Sequence, residues 1–458
     1  MKILHYSLGL PPYRTGGLTK YCFDLMKEQI SMSLDVYLLY PGRRIIFNKK
    51  VSMKKNKKQL GINIYELVNP MPVPLLGGVR KPTHFYEKTE KSLYIDFLEE
   101  LNPDIIHVHT VMGIHKEFFI AAKELKIKIV FTTHDYYGIC PKVNLIDKEN
   151  NVCTSYECGK KCVFCNVNSY SNKLLYIMQL PIYRSFKDKK LIKKLGYYIK
   201  DFIKKKKEKN KLSLSNINSK EYENLRFYYI EIFNLIDYFH FNSTVAKLQY
   251  EKYFDCIGEV INITHSDIKD NRKIKNFRDN LSKLRITYLG PTEVYKGFYL
   301  LDDALKEVEK SGISNWELSI YGNYKEIPIY KSIKNYNFYG IYRYIELKDI
   351  FNNTDILIVP SIWKETFGYI GLEAFSHGVP VMLTENVGFK DMIKDGITGI
   401  IVSPNKQEMA LKLESIIQDR NILKMINNNV TQANFNSSIN KHSEKIIQLY
   451  NKVLRGSC

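Results

Sequence analysis

The sequence predicts an α/β protein made of two doubly wound lobes that face each other across a central cleft. Three observations lead there. Short aliphatic or β-branched runs alternate with stretches of helical period. The alternation occurs twice, over residues 1–265 and again over 284–430, and a polar stretch at 266–283 separates the two sets. The chain has 458 residues, 45% hydrophobic and 25% charged, which supplies apolar material for more than one core. That balance excludes a small disulfide-stapled scaffold and a globally disordered chain. No repeat of solenoid length relates the two sets.

In the first set, residues 2–6, 35–40, 105–109 and 128–132 read as strands and residues 17–31 as a helix. Strands separated by helices form parallel sheets, whose ligands sit beyond the carboxyl ends of the strands. Polar residues gather at those ends: the Arg14 to Gly17 loop, His109 after the third strand, and His134 with Asp135 after the fourth. Gly16 and Gly17 let a ligand approach the backbone without a side-chain clash. His109 reads either as a cleft residue or as a satisfied core histidine. His107, assigned to the other side of the same strand, reads as structural.

Eight cysteines are few for this length, but Cys140, Cys153, Cys158, Cys162 and Cys165 crowd one window, the insert at 140–165. The CxxC end suits a structural Zn²⁺ ion, with Cys153, Cys158, Cys162 and Cys165 as the chosen ligands, against free or redox-active thiols. The tract at 169–234 is rich in Lys, Tyr and Phe. Between Arg184 and Lys211 thirteen basic residues face three acidic ones, half of the formal net charge of +20. Apolar residues recur there at helical spacing, as in a basic amphipathic helix on an anionic membrane surface. A solvated helix packed by its apolar stripe is the plainer reading, and no nucleic-acid motif accompanies the tract. The first residues lack the pattern of an export signal, and no run reaches the ~20 apolar residues that span a bilayer. A cytoplasmic protein, peripheral at the inner face of the cell membrane, is expected.

The second set has strands at 284–289, 316–321, 338–339, 356–359, 379–383 and 399–402, with helices at 297–310, 344–352, 369–377 and 389–394. Residues 431–458 read as a final helix packing back on the first lobe. The most informative segment runs from Val359 to Met382: strand, loop, helix from about Phe367, and a stop at Gly378-Val379-Pro380. A helix start exposes unpaired amides, and Gly368 lets an anion approach them. Glu365 lies in the loop and Glu373 within the helix. A loop carboxylate accepts hydrogen bonds from sugar hydroxyls, and one on the helix can hold both hydroxyls of a ribose.

The Glu365/Glu373 pair with seven residues between, followed by Ala374 and Gly378-Val379-Pro380-Val381, resembles the paired-glutamate signature of retaining, nucleotide-sugar-dependent GT-B glycosyltransferases of family 4. Other segments are similar in the same order: Gly16-Gly17, DIIHVHT at 104–110, TTHD at 132–135, YLGPTEVYKG at 288–297, YGN at 321–323, FYGIY at 338–342 and VGFKDMIKDGITG at 387–399. The resemblance covers nearly the whole chain outside the basic tract. It implies that Glu365 meets the donor sugar, Glu373 the ribose, the amides around Phe367 and Gly368 the diphosphate, and Lys296 the leaving charge. It further implies a sugar contact at His109, acceptor-side contacts at His134 and Asp135, and donor contacts at Gly16, Gly17 and Gly290. Tyr321, Asn323 and Tyr342 mark the base. The donor would carry UDP or GDP, the acceptor would be a glycan or a lipid-linked glycan, and no metal is required for transfer.

One position departs from the pattern. The family places an arginine after the glycine matching Gly290, and this chain has Pro291. Lys296 would then carry more of the phosphate clamp, or Arg343 or Lys364 would substitute. A weakened sugar-nucleotide binder or membrane scaffold, and a nucleotide-sugar epimerase on the same fold, are the alternatives. A nicotinamide oxidoreductase fits poorly, because the first turn lacks GxGxxG spacing.

Overall fold

The computed structural model describes residues 1–188, 218–323 and 334–456; of the basic tract at 169–234, residues 189–217 lie outside the described residues. The first lobe is an eight-stranded sheet of β1 (Lys2–Tyr6), β2 (Asp35–Pro41), β3 (Ser52–Lys55), β4 (Asn63–Val68), β5 (Ile105–Val108), β6 (Lys128–Thr132), β7 (Tyr238–Phe241) and β8 (Gly258–Val260). Its order is β3-β4-β2-β1-β5-β6-β7-β8, and every neighbouring pair is parallel except β3 with β4. The second lobe has β9 (Leu284–Leu289), β10 (Trp316–Tyr321), β11 (Tyr336–Gly340), β12 (Ile356–Val359), β13 (Val381–Thr384) and β14 (Ile400–Val402), in the order β11-β10-β9-β12-β13-β14, all parallel. This is the doubly wound order 3-2-1-4-5-6, so the expected pair of α/β lobes is present.

Local chemistry explains the elements. β5 (IIHV), β12 (ILIV) and β13 (VMLT) are buried at every position, as strands covered by helices on both faces must be. β3, β4, β7 and β8 go beyond the strands expected from the pattern. β3 (SMKK) has no apolar alternation; it is a lysine-bearing edge strand, a composition that discourages further pairing. The helix expected at 389–394 is only a 3-10 turn, Gly388–Met392. The turn is anchored to a neighbouring loop, with Gly388 N donating to Glu365 O at 3.0 Å and Phe389 N to Phe367 O at 2.5 Å, and it ends where Ile393 turns extended and Lys394 N donates to Thr398 Oγ1 at 2.8 Å. A Cβ on Gly388 would stand 2.3 Å from Thr366 O, so the approach needs glycine.

The lobes are tied together at several points. The helix Ile439–Leu454, capped by the Ser438 side chain, packs on the helix Gly17–Ser31, where Tyr21 Oη and His442 Nε2 lie 2.8 Å apart. Ser243 Oγ accepts from Ala246 N at 3.1 Å as a helix cap and donates to Thr366 O of the second lobe at 2.5 Å. Residues 261–283 form no helix or strand. No helix among the described residues is long and apolar enough to cross a membrane.

Candidate active site

In the second lobe the winding reverses between β9 and β12, so the loops that follow these two strands open a crevice at their carboxyl ends. After β9 a 3-10 turn, Val294–Lys296, carries Lys296. After β12 the loop 360–368 carries Ser361 and Glu365. Lys296 Nζ lies 2.8 Å from Glu365 Oε1, and Ser361 Oγ donates to Glu365 Oε2 at 2.6 Å. The ammonium also sits 4.9 Å from the centre of the Trp363 ring. Gly297 makes this meeting possible. Its φ is 78°, and a Cβ there would fall 1.7 Å from Pro360 O. Burial pushes the Glu365 carboxyl up, but Lys296 and the Ser361 hydroxyl pull harder the other way and hold it below its ordinary value. The crevice therefore contains a fixed carboxylate beside a fixed cation.

The helix Tyr369–Phe375 begins beside this pair. Gly368 precedes it with φ 93°, and a Cβ there would meet Val387 Cγ1 at 2.7 Å. Phe367 is buried against Tyr369 and Phe389, so only its backbone is free to meet a ligand. Glu373, one turn into the helix, is buried with Oε1 3.5 Å from His265 Nε2. Burial, reinforced by Glu373, raises the hydroxyls of Tyr342 and Tyr344. Tyr321 stacks on Tyr339 with ring centres 4.6 Å apart and meets Tyr342 edge-on at 6.3 Å. Gly290 and Gly322 bring the ends of β9 and β10 into contact; a Cβ on Gly322 would stand 2.4 Å from Gly290 O. Asn323 O accepts from Thr292 N at 3.4 Å. Of the candidate substitutes for the missing arginine, Arg343 is 79% exposed and paired with Glu346, and Lys364 Nζ donates to Asn386 Oδ1 at 2.5 Å.

The first lobe closes on this crevice. Gly16 has φ 123° and open space around its α-carbon, and a Cβ on Gly17 would touch the Tyr369 ring at 3.3 Å. His134 O accepts from Thr366 Oγ1 at 3.0 Å, and Tyr136 Oη donates to Lys364 O at 2.7 Å, so the Glu365 loop is held from both ends. Asp135 Oδ1 accepts from Tyr137 N at 2.8 Å, and burial raises its carboxyl to about 6. His109 is buried, and both ring nitrogens are engaged by other histidines: Nε2 lies 2.9 Å from His5 Nδ1 and Nδ1 lies 3.4 Å from His134 Nε2. His107 does not face away from His109. Their ring centres are 4.1 Å apart, because side chains two residues apart on a strand share a face. Ser361, His265, Tyr136 and His5 join the site without having been singled out in the sequence. Only Ser361 carried a local signal, its place directly after the strand and Pro360.

The cysteine window folds differently from the expected ligand set. Cys140, Cys153, Cys162 and Cys165 line one cavity of about 20 Å³ together with Arg226 and Tyr253, while Cys158 is exposed. Cys162 and Cys165 share a face of the helix Lys160–Asn166, whereas Cys158 precedes that helix at φ 49°. Burial pushes the Cys162 thiol up to about 12 and that of Cys165 to about 11. The sulfurs are not drawn as close as one ion would hold them. Among the described residues the one group of three or more such side chains whose ligand atoms all lie within 4.8 Å of one another is His5, His107 and His109.

The sequence model of the family described as Glycosyltransferase Family 4 matches residues 15–150, and that of Glycosyl transferases group 1 matches residues 268–433. An uncharacterized protein of the cps region of Klebsiella pneumoniae is 29% identical over 136 residues, covering 29% of this chain and 37% of that protein. The capsular polysaccharide biosynthesis glycosyltransferase CapM of Staphylococcus aureus is 28% identical over 202 residues, 41% of this chain and 52% of CapM. The chain thus spans about half or less of the length of these curated relatives. Among solved structures, HepE of Anabaena in complex with UDP-glucose superposes with a TM-score of 0.55 at 14% identity, covering 99% of this chain and 100% of that one. Sucrose-phosphate synthase from Thermosynechococcus elongatus superposes with a TM-score of 0.56 at 12% identity, covering 99% of both chains. A glycosyltransferase family model thus matches in each lobe, and the chain shares the two-lobed GT-B fold with these structures from end to end.

Proposed function

We propose that this protein transfers a hexose, with retention of configuration, from a nucleoside-diphosphate sugar to a glycan or lipid-linked acceptor in the assembly of a cell-surface polysaccharide. The observation that carries this reading is the Lys296–Glu365–Ser361 cluster at the crevice between β9 and β12, covered by the Gly16-Gly17 loop of the other lobe. Breaking a glycosyl phosphate bond builds negative charge on the leaving diphosphate. A preplaced ammonium stabilises that charge without reorganising at the moment of reaction. Lys296 supplies the ammonium, and the backbone around Phe367 and Gly368 supplies amides. The Glu365 carboxylate accepts hydrogen bonds from sugar hydroxyls, and Glu373 beside His265 accepts those of the ribose. Gly290, Tyr321, Asn323 and Tyr342 surround the base. His134 and Asp135 lie on the acceptor side. With Pro291 offering no charge, Lys296 carries more of the phosphate clamp.

The cps-region and CapM relatives support a polysaccharide role, and the UDP-glucose held by HepE makes a UDP-sugar the first donor to try. The test is nucleotide release from a panel of UDP- and GDP-sugars, with and without glycan acceptors. Turnover that Glu365→Gln abolishes supports the reading. Binding without turnover, unaffected by that substitution, favours a sugar-nucleotide-binding scaffold.

Two further parts of the reading have their own tests. The basic tract binds an anionic membrane surface; failure of the full chain to float with anionic vesicles removes this. The cysteine cavity holds a structural Zn²⁺ ion, with Cys140 taking the place first given to Cys158. Four cysteines line that cavity, and their thiolates are a suitable donor set whose sulfurs close in when the ion binds. Elemental analysis is expected to find one zinc per chain, lost in Cys140→Ser and kept in Cys158→Ser.

A further inference from the structure

In the helix Ser219–Phe233, Tyr222, Leu225, Tyr229 and Phe233 recur at the spacing of a core face and are buried. Arg226 stands among them. It is 4% exposed, and among the described residues its guanidinium meets no carboxylate. Nη1 donates to Ile139 O, Nη2 donates to Cys162 Sγ at 3.8 Å, and Nε is buried without a hydrogen-bond partner among the described residues. The group lies 3.9 Å from the centre of the Tyr156 ring and 5.1 Å from that of Tyr253. Ring faces and a carbonyl offer partial charge only. A buried lysine can shed its proton, but a guanidinium cannot, so a full positive charge stays in the interior and needs an opposite one.

The cavity beside Arg226 is where that charge arises. Cys140, Cys153, Cys162 and Cys165 line it with Arg226 and Lys142, and among the described residues no Asp or Glu does so. At about 20 Å³ it has room for a single atom and none for a phosphate or sulfate. Disulfides and protonated thiols are both neutral, so either state of the cysteines leaves the guanidinium uncompensated. A Zn²⁺ ion held by four cysteines displaces four thiol protons, and two positive charges against four thiolates leave a net charge of minus two. Arg226 and Lys142 offset it, one charge each. Thiolate sulfur also accepts N–H hydrogen bonds, and outer partners of this kind hold metal ligands in place and tune their affinity.

We infer that Arg226 is the charge partner of a zinc tetrathiolate formed by Cys140, Cys153, Cys162 and Cys165: a positioning residue whose guanidinium donates to the Cys162 thiolate and commits the four cysteines to metal binding rather than to disulfides or free thiols. This role for Arg226 rests on the zinc reading above. It supplies what four buried thiolates require, a fixed positive charge that is already in place before the ion arrives, anchored by its bond to Ile139 O.

The experiment strips the full chain of metal with a chelator under reducing conditions, adds zinc chloride, and measures bound zinc by elemental analysis and affinity by competition with a chromophoric chelator. Arg226→Gln keeps a hydrogen-bonding side chain and removes the charge. It is expected to weaken zinc binding about 10–100-fold and to shrink the rise in melting temperature that zinc produces. An arginine that served only to pack the helix would lower the melting temperature of the metal-free and zinc-loaded forms alike, so an equal zinc-induced rise in the native chain and in Arg226→Gln overturns the role. Should that variant fail to fold, a crystal structure of the zinc-loaded native chain decides. A guanidinium nitrogen within hydrogen-bond reach of a zinc-bound sulfur is expected, and a guanidinium turned away from all four sulfurs overturns the role. A native chain that takes up no zinc overturns the zinc reading and the role of Arg226 together, whereas zinc held equally well by the native chain and by Arg226→Gln overturns the role alone.

Discussion

Replacing Lys296 by methionine keeps most of the side chain's volume and removes the charge 2.8 Å from Glu365 Oε1. At an effective dielectric constant of ~20 the gross attraction at that distance is about 6 kcal/mol. Desolvation of the two groups offsets most of it, which leaves a net loss of about 2 kcal/mol for a pair whose side chains are 22% and 14% exposed. The pH dependence reports the mechanism. In the native protein the Glu365 carboxyl lies below its ordinary value of 4.5, so its stabilisation is present above pH 4.5 and is lost as pH falls through the lower folded value. Without Lys296 the burial that pushes the carboxyl up is opposed by Ser361 but no longer by the ammonium, and the folded value rises above 4.5. The variant then gains stability relative to the native protein as pH falls from 7 toward 4.5. Urea unfolding at pH 7 and pH 5 is therefore expected to show a gap of about 2 kcal/mol that narrows at the lower pH. Turnover is expected to fall by about 10²–10³, the usual loss for one preorganised charge on a leaving group. A gap that widens with acid, or a variant as active as the native protein, would refute the reasoning.

Three other outcomes are expected. Gly368→Ala forces a φ of 93° on an L-residue and a Cβ into Val387; it should cost about 1–2 kcal/mol in thermal unfolding and weaken sugar-nucleotide binding, and an unchanged melting temperature would contradict the contact. Glu373→Gln keeps shape but not charge beside His265, and should raise KM for the nucleotide sugar about tenfold with kcat nearly kept; a loss confined to kcat would move Glu373 from ribose binding to the reacting centre. The buried histidines of the first lobe make the fold acid-sensitive. Rings whose folded values lie at about 3 to 4 take up protons only when unfolded, so stability is full above pH 6.5 and falls by up to about 1.4 kcal/mol per ring for each pH unit below it. Unfolding curves that superimpose at pH 7 and pH 5 would contradict this.

Much of the fold was legible because its signal is local. β1, β9, β10, β12 and the helix Gly17–Ser31 have the bounds their apolar periods predict, and Gly378 with Pro380 mark the stop after Phe375. The pattern failed where tertiary contact replaces periodicity. β3 pairs as a polar edge, and residues 389–394 lose their helix where Ile393 is extended and Lys394 N donates to the Thr398 side chain.

The sequence by itself determined two α/β lobes, the loops that end their central strands, and the glutamate pair on a loop and the helix it enters. These follow from spacing along one segment, where backbone geometry fixes which side chains share a face. Only the tertiary structure decided that Lys296 meets Glu365, that Cys140 rather than Cys158 faces the other sulfurs, and that Arg226 turns its guanidinium to Cys162. Those contacts depend on strand order and on how elements far apart in the chain pack together, which no local stretch of residues encodes.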